Sequence, residues 1–175
     1  MLNTRFQFFT PLDTPDYDGS LHGLPAAAWP EFMLHDPIAD RLWDDLVNLF
    51  PEYQFALRDL ETGQAVAQAN SLPLNWNGDL VDLPEEGWDW AFEQGVADRI
   101  KWLLPNTHCV LQIAIHPDYR CQGLSAVLVR HMRSIGTNKG FARLIVPVRP
   151  SQKSQYPMIS IDDHLASSTT RGYNL

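Results

Sequence analysis

Leu111-Gln-Ile-Ala-Ile-His-Pro-Asp-Tyr-Arg-Cys-Gln-Gly-Leu-Ser125 is the stretch that decides the fold. Its first part, Val110–Ile115, is a strongly apolar run bounded by His116-Pro117-Asp118, and it reads as a central strand. A loop with Arg120 and Gly123 follows. Leu124, Val127, Leu128, His131, Met132 and Ile135 then mark one face of a helix from about Gly123 to Lys139. A strand, a glycine-containing loop and a helix start make an anion site. The first N–H groups of a helix lack intrahelical partners, and the helix dipole adds positive potential. Gly123 lets a ligand approach the backbone closely. Arg120 adds a cation that can pair with phosphate in bidentate fashion. The same spacing also suits an ordinary strand-to-helix turn that uses glycine for geometry alone.

Downstream, Gly136 and Gly140 read as stop signals, and Ala142–Val148 as a second apolar strand distorted at Pro147. This strand–helix–strand unit implies a parallel crossover. Upstream, Asp36-Pro37 is a helix start, with Ile38, Leu42, Leu46 and Leu49 at helical spacing and Pro51 as the stop. Tyr53–Arg58 and Ala65–Leu72 read as two strands of a hairpin around Glu61-Thr62-Gly63-Gln64. Pro73 to Pro84 reads as a loop. A helix opening at Pro84-Glu85-Glu86 runs through Trp88, Phe92, Val96 and Leu103 to Pro105. Residues 1–35 show no sustained period and read as an irregular leading segment with one short strand around Arg5–Phe9. The hairpin followed by the crossover predicts a mixed sheet flanked by helices, of class α/β or α+β.

Arg120-Cys-Gln-Gly123-Leu-Ser125 resembles the Arg/Gln-x-x-Gly-x-Gly/Ala pyrophosphate loop of the GCN5-related (GNAT) N-acetyltransferases. The approach Ile113-Ala114-Ile115-His-Pro117-Asp-Tyr-Arg120 is similar to that family's strand and turn. The element order from Asp36 to Val148 matches as well. The resemblance implies acetyl-CoA as co-substrate and residues 36–150 as the cofactor-binding core. It implies pantetheine bonds from backbone groups along Ile113, Ala114 and Ile115. Backbone N–H groups from Cys121, Gln122, Gly123, Leu124 and Ser125 would hold the pyrophosphate, and a β-bulge would splay the strand from its neighbour. Ser125 and Cys121 stand where the family more often has a smaller residue. The final strands of the family are not legible in residues 151–175, where only Ser160–Ser168 reads as a short helix. That segment is therefore expected to be incomplete, with truncation or a second copy completing the sheet as the two explanations.

In the family an amine attacks the thioester directly, and a tyrosine often protonates the departing thiolate. Tyr156 is the candidate for that acid. No base stands out: Glu85, Glu86, Asp89 and Glu93 read as a solvated helix face, and Trp76, Trp88 and Trp90 as aromatic core.

Charge is divided sharply. Residues 1–98 carry 3 basic and 18 acidic side chains, whereas residues 99–175 carry 10 basic and 3 acidic ones. The basic half suits an anionic ligand and the acidic half a cationic acceptor. The net charge of −8 argues against a broad nucleic-acid-binding face. No apolar run approaches the roughly 18 residues of a membrane span, and a cytoplasmic location is the default. Cys109 and Cys121 form no CxxC pair, and the histidines show no metal-ligand spacing. The leading expectation is an acyltransferase acting on a small-molecule or protein amine. The alternatives are a non-catalytic CoA-binding module, acting as a sensor or assembly partner, and a fragment of a longer enzyme.

Overall fold

The computed structural model describes residues 5–148 and, beyond them, residues 156, 158–160, 163 and 166. In chain order its elements are β1 (Phe6–Phe9), α1 (Tyr17–Ser20), α2 (Leu24–Ala28), α3 (Pro37–Leu49), β2 (Gln54–Asp59), β3 (Ala65–Leu74), α4 (Trp88–Ile100), β4 (Thr107–Ile115), α5 (Leu124–Asn138) and β5 (Arg143–Ile145). The strands form one sheet in the order β1-β2-β3-β4-β5. The first three pairings are antiparallel and β4–β5 is parallel. The mixed sheet predicted from the hairpin and the crossover is therefore present.

Local chemistry explains the boundaries. Asp36 caps α3, its carboxylate accepting from the N–H groups of Ile38 and Ala39, and Pro37 opens the helix. α4 starts at Trp88 rather than at Pro84. Residues Pro84 to Gly87 form a turn closed by the Gly87 N–H on the Pro84 carbonyl, so Glu85 and Glu86 precede the helix. At its other end, Trp102 at φ +57 and Leu103 donate to the carbonyls of Arg99 and Asp98, a Schellman motif with tryptophan in the glycine position. α5 ends in the same motif. Gly140 at φ +79 donates to Thr137, and Phe141 to Gly136.

Gly136 is not a stop signal. It is an interior, buried residue of α5, and a Cβ there would lie 2.9 Å from Nδ1 of His108 on β4. Glycine is needed for close approach of helix to strand. The second apolar strand is also shorter than expected: β5 ends at Ile145, two residues before Pro147.

Alternation places two apolar clusters on opposite faces of the sheet. Leu46, Phe50, Leu72, Leu74, Phe92 and Leu111 join α3 and α4 to one face. Phe55, Leu57, Ala69, Val110, Leu128 and Met132 join α5 to the other. Where the sequence showed no period, α1 and α2 bring Tyr17, Leu21 and Leu24 onto Phe9 and Ala56. His131 lies on the packed face of α5, as its spacing indicated. It stacks on Phe8 at 4.0 Å, and burial lowers its pKa.

A row of amides crosses three strands on the face of Leu72. Gln54 Nε2 donates to the carbonyls of Phe50 and Ser71. Asn70 Nδ2 donates to Gln54 Oε1, and Gln112 Nε2 to Asn70 Oδ1. Gln54 and Asn70 are fully buried.

Candidate functional site

β4 contains a bulge. Asn70 pairs with Gln112 and Ser71 with Val110, so Leu111 is the extra residue. The bulge coincides with the end of pairing on the other side. β5 pairs only with Thr107, His108 and Cys109, and β4 continues for six residues without it. The carbonyl of the bulged Leu111 accepts instead from the indole Nε1 of Trp88 on α4, at 2.9 Å. The carbonyl of Ile115 accepts from Arg120 Nε at 3.4 Å. Backbone groups two residues apart in a strand point the same way. Ile113, between these two, therefore directs its N–H and C=O along the same unpaired edge.

The loop after β4 is shaped by its own residues. Pro117 opens a single 3-10 turn over Pro117–Tyr119, with the Asp118 N–H on His116 Nδ1. Cys121 holds φ +60 and Gly123 φ +78, which curls the chain into the start of α5. No side chain caps that helix, so its first N–H groups remain available to a ligand. A Cβ on Gly123 would meet nothing within 4 Å.

Tyr119 hangs this loop on the first hairpin. Its hydroxyl donates to Asp59 Oδ2 at 2.9 Å, and Arg5 contacts both Asp59 oxygens, at 3.0 and 2.6 Å. The Asp59 side chain is wholly buried. The Arg5 guanidinium, more than any other contact, holds its carboxyl well below the usual carboxylate range.

Together these elements enclose a cleft of about 510 Å³. Ile113, Ala114, Ile115, Arg120, Cys121, Gly123, Leu124 and Ser125, singled out from sequence, all line it. Gln122 does not, and its Nε2 turns back to the Asp118 carbonyl at 3.3 Å. Arg120 is less free than its sequence position implied, because Nη2 also donates to the Ala28 carbonyl at 2.9 Å. Tyr156 is exposed and is not among the lining residues. Trp76, Trp88 and Trp90 pack in or against the α3–α4 core, as read from sequence. Glu93 forms an ion pair with Arg41. The expected helix over 160–168 lies largely outside the described residues, as do the strands sought in 151–175.

Three lining residues escaped the sequence reading: Ala28 and Trp29 at the end of α2, and Tyr119. The signal for Tyr119 was its place one residue before Arg120. Nothing in the sequence around Trp29 pointed to the cleft.

A family model described as "Acetyltransferase (GNAT) family" matches residues 21–159. The chain belongs to the GNAT family. Among curated proteins, the arginine N-acetyltransferase avaD of Aspergillus versicolor is 29% identical over 148 residues, covering 80% of this chain and 50% of its own length. This GNAT chain thus spans about half the length of the curated relative it matches. Among solved structures, the loading GNATL domain of CurA from Lyngbya majuscula superposes with a TM-score of 0.72 at 14% identity, covering 97% of this chain and 78% of its own. A GNAT family acetyltransferase from Brucella melitensis, solved with acetyl-CoA, gives 0.54 at 10% identity, covering 90% and 85%. At these identities the structural likeness is one of fold. Among the described residues, no helix is long and apolar enough to cross a membrane.

Proposed function

We propose that this chain is an N-acetyltransferase that moves an acetyl group from acetyl-CoA to an amine. One observation carries the reading: the loop with the uncapped helix start and the unpaired edge of β4 line the same cleft. Family membership, the curated relative's name and the acetyl-CoA-bound structural neighbour support it.

Backbone groups of Ile113 and Ile115 bond the amides of the pantetheine arm as a missing strand would. The N–H groups from Cys121 to Ser125 and the dipole of α5 hold the pyrophosphate. The acetyl thioester then lies toward the bulge at Leu111. The amine, once its ammonium form has given one proton to solvent, attacks the thioester carbon, the C–N bond forms as the C–S bond breaks, and the second proton lost by the nitrogen passes to the departing thiolate, so that CoA leaves as the free thiol. Fixing both reactants in this geometry supplies much of the rate enhancement. The acceptor is a cationic amine of the arginine or polyamine type, a choice supported by the relative's name and the acidic residues 1–98. A second copy, pairing along β5 beside the exposed Leu144 and Val146, is the proposed protein partner, to be checked by light scattering.

Acetyl-CoA at about 100 times its Kd should stabilise the fold by roughly 2.7 kcal/mol, a melting shift on the order of 5–10 °C. Gly123→Glu should abolish the shift. Thiol release with arginine and spermidine then tests transfer. A melting shift without thiol release points to a binding module, and no shift at millimolar acetyl-CoA removes the reading.

A further inference from the structure

Three segments meet at the start of β4, the end of that strand away from α5's first turn. Asn75 Nδ2 donates to the Leu104 carbonyl at 2.8 Å, and the Asn106 side chain bonds both backbone groups of Trp76. Thr107 pairs with Arg143 at the start of β5, and a Cβ on Gly78 would lie 2.5 Å from the Arg143 guanidinium. The segments before and after α4 are apolar and open to solvent here: Leu80, Val81, Ile100, Trp102, Leu103 and Leu104 are 49–89% exposed. They present several hundred Å² of apolar surface, comparable to the largest patch on an ordinary monomer, about 300–600 Å².

Trp102 is the unusual member. It stands at φ +57, in the glycine position of the turn that ends α4, where a bulky side chain is strained. No packing against the described residues offsets that strain, because Trp102 is 85% exposed. Tryptophan is among the side chains that most often anchor protein interfaces. The flanking charges differ between the two segments. Lys101 lies between Ile100 and Trp102, whereas Asp79 and Asp82 bracket Leu80-Val81. None of these three joins an ion pair among the described residues.

We infer that these two segments form a docking surface for a second copy of this chain, anchored by Trp102. The inference extends the β5 pairing proposed above and rests on the same partner. In a twofold contact, each residue and its counterpart make the same contact in reverse. The Ile100–Leu104 segment of one copy therefore lies on the Leu80-Val81 turn of the other, and the reverse, and Lys101 faces Asp79 and Asp82 twice. Arg143, packed against Gly78, joins this surface to the β5 edge at Leu144 and Val146. The two areas together approach the roughly 800 Å² that a standard interface takes from each partner. The acidic turn disfavours a lipid surface, whose headgroups are commonly anionic.

The test is sedimentation equilibrium of the whole chain over a range of concentrations. The unmodified chain should dimerise, and Trp102→Gly should weaken the dimer at least tenfold. That change also relieves the left-handed strain, so a loss of dimer at an undiminished melting temperature cannot come from unfolding. Val81→Lys alters the facing turn at a position 89% exposed, away from the core, and should weaken the dimer likewise. If both variants dimerise as tightly as the unmodified chain, the docking surface is overturned, and loss of that dimer in Leu144→Glu leaves the β5 pairing standing. If the unmodified chain stays monomeric throughout, both readings fail, and cosedimentation of that monomer with phosphatidylcholine vesicles would assign the surface to lipid instead.

Discussion

The hydroxyl of Tyr119 donates to the carboxylate of Asp59, 60 residues earlier in the chain, at 2.9 Å. One bond therefore ties the turn before the start of α5 to the β2–β3 hairpin. The Tyr119 ring is also held edge-on by Phe6 of β1, at 6.4 Å between centroids.

Tyr119→Phe keeps the ring contact and removes the bond. It should lower the melting temperature by roughly 2–4 °C, the shift expected of one hydrogen bond in a domain of this size. It should also raise the Kd for acetyl-CoA, since the loop loses its anchor. Calorimetric titration of the variant checks both, and an unchanged Kd would show that the loop holds its shape alone.

Trp88→Phe isolates the prop under the bulge. The ring still meets Phe92 edge to face, but the nearly buried Leu111 carbonyl loses its donor. The cost should be about 1–3 kcal/mol in urea unfolding. Affinity for acetyl-CoA should fall as well, because Leu111 sets the direction of the unpaired edge beyond it. Loss of stability with full affinity would separate the bulge from the binding site.

Among the described residues, two hold left-handed backbone without being glycine: Trp102 at φ +57 and Cys121 at φ +60. Trp102→Gly should stabilise the fold by about 0.5–1 kcal/mol, since relief of the left-handed strain exceeds glycine's entropic cost. Cys121→Val should cost about 1–2 kcal/mol, because a β-branched residue fits that region poorly. Thermal unfolding measures both, and opposite signs would refute the strain account.

Stability should also fall in mild acid. His108 is buried, with Nε2 on Ser71 Oγ at 2.8 Å, and burial, aided by Lys139, pushes its pKa down to about 4. The unfolded chain binds that proton near pH 6.5, so folding is unaffected above that value and is opposed as pH drops from 6.5 towards 4. The loss should reach about 2 kcal/mol by pH 5, with His131 acting in the same direction. Urea unfolding at pH 7.5 and pH 5 gives the comparison, and equal stabilities would mean that His108 is protonated in the fold.

Much of the site was legible because it is local. The apolar run, Gly123 and the periodic face of α5 are contiguous, so spacing alone placed the loop at a helix start. The bulge was expected from the family resemblance and not from the run itself: apart from Gln112, Val110–Ile115 is apolar, and such a run carries no mark of a register shift. Trp29 was missed because α2 has five residues, too few to show a period. Gly136 was misread because glycine serves helix ends and close contacts alike, and only the position of His108 distinguishes them. Val146 and Val148 looked like strand, but pairing in β5 stops at Ile145, before Pro147.

The amide row has a directional consequence. Two carbonyls, those of Phe50 and Ser71, demand the nitrogen of Gln54, and that single demand orients every amide after it. Asn70 must offer nitrogen to one neighbour and oxygen to the other, and Gln112, the partly exposed last member, keeps its oxygen uncommitted within the row. The polarity shown at β4 is thus set two strands away. Replacing Gln54 with methionine would let Asn70 and Gln112 turn over, reversing which atom the row presents at its end without moving the backbone.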